Sequence, residues 1–132
     1  MGGTIVCDVT DPLAGRSAAD FAAALAARLG LRVVLVHVGS EAERRLEAVA
    51  RGVGRETEMR VAVGDHAEAL ARVAAEEGAD LVVVGARPAG LGGRNLRWTL
   101  ARELEAATPV PVVVAPPSTR KRSNRRLSAP TR

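Results

Sequence analysis

Aromatic side chains are nearly missing from this chain: one Phe, one Trp and no Tyr among 132 residues. Hydrophobic residues still make up 47%, so the core has to be packed from Val, Leu, Ile and Ala. Basic residues interleaved with aromatics, the pattern that stacks single-stranded bases, do not occur. Cysteine is reduced to Cys7, which rules out an internal disulfide. Together with two separated histidines, His37 and His66, it does not make a metal site. No apolar run approaches the roughly 20 residues that span a bilayer. The first residues show no basic segment followed by an apolar stretch, so no secretory signal is expected. Neither a P-loop sequence nor Ser–His–Asp spacing is present, and no catalytic constellation emerges. These absences lead to a cytoplasmic chain without a membrane partner, of a length that suits one domain with a proper core.

Acid is missing from one end. Residues 116–132 hold six basic residues (Arg120, Lys121, Arg122, Arg125, Arg126, Arg132) and no Asp or Glu. The formal net charge is +4, and without those six the remainder is mildly acidic. The basic character therefore belongs to an Arg/Ser/Pro-rich tail with no apolar periodicity, expected to be disordered in solution. Such a tail could make weak, salt-dependent contact with nucleic acid or another anion, or simply solubilise the chain. The expected organisation is a domain over 1–115 and a tail over 116–132.

What is there is an alternation. Thr4–Val9 is apolar and β-branched and predicts a strand. Arg16–Leu29 places Phe21, Leu25 and Leu29 on one helical face, with Gly30 as the stop. Arg32–Val38 predicts a second strand, Glu41–Arg51 a short amphipathic helix and Met59–Val63 a third strand. Asp65 is a good N-cap, with Glu68 three residues on, and the helix it opens runs to Gly78. Leu81–Val84 predicts the fourth strand, Leu100–Ala107 the last helix and Val110–Ala115 the fifth strand. Strands apolar on both faces imply a parallel sheet covered on both sides, that is, a doubly wound α/β domain. Ligands in such sheets bind beyond the carboxyl ends of the strands at a switch point, here expected in the loops Thr10–Gly15 and Gly85–Trp98.

The Gly85 loop carries most of the chemistry. The run Leu81–Gly85 opens into a segment bearing Arg87, Gly90, Gly92, Gly93 and Arg94, and helical sequence follows. Loop amides and a helix N-terminus of this kind can hold phosphate. In the last strand Pro111 cannot donate to a ladder, which predicts an edge position. An apolar edge calls for protection, and pairing with a second copy through Val110–Val114 would supply it.

Taken together, the order and spacing of Leu35–Val38, Val63–Leu70, Ala79–Gly85 and Pro109–Val114 resemble the universal stress protein family over nearly all of residues 3–115. The resemblance implies a Rossmann-like five-stranded sheet, a homodimer through the last strand and a role in stress tolerance. Some members bind ATP and others do not. Binders resemble one another in a motif of Gly, two residues, Gly, nine residues, Gly, then Ser or Thr. Anchored on Gly85, its second glycine falls on Pro88, its third on Trp98 and its hydroxyl on Thr99. Pro88 has no N–H to donate, and Trp98 puts an indole where close approach to phosphate calls for no side chain. The family's first-strand acid falls on Thr10, with Asp8 and Asp11 close by.

The implied binding set is Val9, Thr10, Asp11, Val36, Gly85, Arg87, Gly90, Gly92, Gly93, Arg94 and Thr99, with ATP or AMP as the ligand considered. Arginines would neutralise phosphate, and Thr99 would cap the last helix. The departures favour a non-enzymatic stress-response or regulatory protein with weakened or lost ATP binding. The alternatives are an ATP/AMP switch with slow hydrolysis and an anion- or nucleic-acid-associated protein acting through its tail. Cys7 reads as a small core residue, His37 as structural, and His66 as an exposed residue in a first helical turn.

Overall fold

A computed structural model describes residues 2–39, 49–51, 57–86 and 96–117. Five strands are present among the described residues: β1 (Thr4–Asp8), β2 (Arg32–Val38), β3 (Glu58–Ala62), β4 (Leu81–Gly85) and β5 (Val112–Ala115). Three helices are bounded: α1 (Pro12–Leu29), α2 (His66–Glu77) and α3 (Leu96–Ala107). Residues 49–51 are helical as well, and the rest of the helix expected over Glu41–Arg51 lies outside the described residues. The sheet is parallel throughout, in the order β3-β2-β1-β4-β5. This is the doubly wound architecture implied by the two-faced apolar strands.

Alternation along the strands sorts the core into two layers. Val6, Val34, Val36, Val82 and Val84 point to the side covered by α2 and α3, where Leu70, Val73, Leu100 and Leu104 meet them. Ile5, Cys7, Val33, Leu35 and Val83 point to the opposite side, under Ala18, Ala22 and Ala26 of α1. Alanine is the strongest helix former and also lets a helix lie close to a sheet. That combination explains how a chain nearly without aromatics fills its core. Gly30 ends α1 in the left-handed conformation at φ 69°, a cap that glycine adopts without strain.

Several element boundaries differ from the sequence pattern. Helix α1 starts at Pro12 and not at Arg16, because Asp11 caps it and Gly15 lies inside its first turn. Helix α3 starts at Leu96 and not at Leu100, which puts Thr99 in its first turn. The cap role expected of Thr99 is therefore corrected. Pro111 precedes β5 instead of interrupting it, while its carbonyl accepts from Val82 N at 3.0 Å. Proline needs no donor there, and β5 does lie at an edge of the sheet.

Candidate functional site

The chain leaves β1 toward β2 on one side and leaves β4 toward β5 on the other, so the switch point lies between β1 and β4. Their carboxyl ends carry Asp8, Val9 and Thr10 on one side and Gly85 and Ala86 on the other. The first turn of α1 is set down against both strand ends. A Cβ on Gly15 would sit 2.8 Å from Val9 Cα, and one on Gly85 would sit 2.7 Å from the Ala14 carbonyl carbon. Gly85 thus admits the backbone of α1, which is a structural reason for glycine there without any ligand.

The N-terminus of α1 is closed to anions by its own cap. Pro12 has no N–H, the Asp11 side chain accepts from Leu13 N and Ala14 N, and Gly15 N donates to the Asp11 carbonyl at 2.6 Å. Leu13 N and Ala14 N are donors that a helix start would otherwise offer, and the Gly15 bond is the first of the helix's own ladder. Asp11 is therefore a capping residue of α1. Val9 and Val36, both at or below 1% exposure, bury their side chains in opposite core layers, and Val9 N donates to the Val36 carbonyl at 2.9 Å.

Thr10 is half-buried and holds the turn together. Its hydroxyl donates to Asp8 Oδ1 at 2.6 Å and accepts from Val38 N at 3.0 Å, and its own N–H also reaches Asp8 Oδ1, at 3.1 Å. The other carboxylate oxygen, Asp8 Oδ2, lies 3.1 Å from His66 Nε2 in the first turn of α2. Sequence reading missed this pair, since the partners are 58 positions apart and His66 was expected to be exposed. A hint was available in Asp8 itself, a charged residue at the end of an otherwise apolar central strand. Thr99 is exposed on α3. Arg87, Gly90, Gly92, Gly93 and Arg94 lie outside the described residues, as does the tail from Ser118.

Far from this end, the amino-terminal half of the sheet carries an ion network. Arg32 meets Glu58 at 2.5 Å and Glu77 at 3.0 Å, and Arg60 meets Glu77 at 2.9 Å and Glu76 at 2.6 Å. Glu77 accepts from both guanidiniums. The hydrogen bond from Arg60, with Arg32 adding to it, holds its carboxyl below the ordinary range. Cys7 is fully buried, and burial pushes its thiol well up, with Asp8 adding to the effect. It is a core residue and not a reactive one.

A parallel five-stranded sheet with helices on both faces and a β1/β4 switch point defines a Rossmann-like α/β domain. The universal stress protein family model matches residues 39–116, more than half of the chain, and the chain belongs to that family. Among solved structures, it is similar to a universal stress protein in complex with cAMP, with 22% identity and a TM-score of 0.67 over 89% of this chain and 98% of that one. It is similar to the universal stress protein from Archaeoglobus fulgidus in complex with dAMP, with 22% identity and a TM-score of 0.62 over 87% and 98%. A third is a protein of this family from Burkholderia pseudomallei, with 24% identity and a TM-score of 0.67 over 88% and 96%. At these identities the likeness is one of fold. Comparison with curated proteins gives no match.

Proposed function

We propose that this chain is a non-enzymatic, cytoplasmic stress-response protein, homodimeric through β5, that holds an adenine nucleotide weakly in the crevice between β1 and β4. It acts as a regulator or protective binding protein. Residues 1–115 carry these roles and residues 116–132 form a basic extension. The observation that carries the reading is the closed first turn of α1. With its amides held by Asp11, anion contact falls to the segment after Gly85, and there Pro88 and Trp98 replace two glycines of the family motif. Phosphate is thereby left with fewer backbone donors. The cAMP and dAMP complexes of similar proteins support the ligand class. Both oxygens of Asp8 face donors of its own fold, an arrangement suited to holding a turn and not to activating water.

Calorimetric titration with AMP and with ATP·Mg tests this, with fluorescence of the sole tryptophan, Trp98, as a second readout. The expected dissociation constants lie near the millimolar range, about −4 kcal/mol. Micromolar ATP·Mg binding with turnover would replace this reading by an ATP switch. No response at millimolar nucleotide removes the ligand from it.

A further inference from the structure

Asp8 is a carboxylate with 3% of its surface exposed, at the end of the central strand. An unpaired charge is not tolerated in such a place. Three donors hold it: the Thr10 N–H and hydroxyl on Oδ1, and His66 Nε2 on Oδ2. An ionised carboxylate only accepts, so its position assigns the proton of the imidazole to Nε2. The Thr10 hydroxyl passes the tie on to Val38 N at 3.0 Å. One buried carboxylate thus fixes side chains from the β1–α1 turn and from α2, and through Thr10 it reaches the end of β2.

Such a node is a poor stability device, because burying a charge offsets much of what the contacts return. Its geometry suits orientation instead. His66 keeps 33% of its side chain exposed, and Thr10 is half-buried at the same end of the sheet. We infer that Asp8 is a positioning residue for ligand recognition, holding Thr10 and His66 as two polar walls of the crevice. The exposed edge of His66 then meets the uncharged nucleoside part of a nucleotide. The charge on Asp8 disfavours phosphate beside it, which leaves this end of the crevice to base and sugar. The inference rests on the nucleotide reading given above.

The test is titration of the full chain with AMP and with adenosine, in the parent and in Asp8→Asn, His66→Ala, His66→Gln and Thr10→Val. Loss of a charge-assisted hydrogen bond predicts about tenfold weaker AMP binding in Asp8→Asn and in His66→Ala. A variant combining Asp8→Asn with His66→Ala should bind no worse than the weaker-binding single one, because both remove one unit. His66→Gln keeps a donor toward Asp8 and should recover part of the affinity. Adenosine should lose as much as AMP. Nitrogen NMR of the ligand-free parent should show an Nε2-protonated His66, and Asp8→Asn should lose that preference.

His66 is partly exposed, so His66→Ala keeps the test open should Asp8→Asn not fold. If the parent binds AMP and both His66→Ala and Thr10→Val bind it equally well, this inference fails and the nucleotide reading stands. Loss confined to AMP, with adenosine unaffected, also overturns it. A parent that binds no nucleotide removes both.

Discussion

Gly85 and Ala14 meet backbone to backbone: a Cβ on Gly85 would fall on the Ala14 carbonyl oxygen and within 3.1 Å of Ala14 Cα. The last residue of β4 is therefore the seat of the first turn of α1. Gly15 plays the matching part against Val9. The two glycines let α1 settle onto the switch point.

Gly85→Ala should accordingly be among the more damaging small changes in this chain. The obstacle is helix backbone, which cannot rotate away, so a cost of about 3 kcal/mol is expected, the upper end of ordinary overpacking. Gly30 is the control. It has φ 69° and open space around it, so Gly30→Ala should cost only the left-handed strain, about 1–2 kcal/mol. Urea denaturation at constant m-value measures both. Equal midpoints for Gly85→Ala and the parent would show that α1 is not seated there.

The sheet was legible because its signal is local: β-branched runs between helical periods define strands wherever they fold. The Asp65 cap was legible too, and its side chain does accept from Glu68 N at 3.1 Å. The start of α1 was not, because Gly15 reads as a breaker until Val9 is seen against it. Thr10 and Asp11 were singled out as binding residues. The structure shows their polar groups engaged within the fold, Asp11 on the α1 cap and Thr10 between Asp8 and Val38. The Asp8–His66 pair joins a strand to a helix two crossovers later, and no spacing rule reports such a contact.

Glu77 makes stability depend on pH in a defined direction. Arg60 and Arg32 lower its folded pKa, so its contribution is present above the unfolded carboxylate value and is lost as pH falls through the folded one. The pairs are partly solvent-exposed, which limits the effect to about 1 kcal/mol. Glu77→Gln should lower the urea midpoint at neutral pH and flatten its fall on acidification, and added salt should shrink the difference. An unchanged acid limb would show that the network contributes nothing.

Cys7 should behave as a core atom. Its side chain is 0% exposed and burial raises its thiol pKa, so little thiolate is available for reaction at neutral pH. An aromatic disulfide reagent should label it only as fast as the protein opens, and at once in denaturant. Rapid labelling of the folded protein would mean that the α1 layer lifts from the sheet far more readily than its packing implies.

The proposed assembly turns on the outer edge of β5. Val112, Val113 and Val114 are only partly buried, and β5 is paired with β4 alone in the sheet. Apolar residues along an edge strand favour pairing with another chain, and a second copy would meet it about a two-fold axis. Val112→Arg places a charge on β5, where Val112 also packs against the core layer under α2 and α3, so the fold is read beside the mass. Light scattering should therefore give half the parent mass, with the monomer still folded by circular dichroism. Met59→Arg is the companion control, since Met59 is 43% exposed on β3 at the opposite edge, and it should leave the dimer intact. Equal masses for the parent and Val112→Arg would exclude pairing through β5, and dissociation by Met59→Arg alone would move the interface to β3.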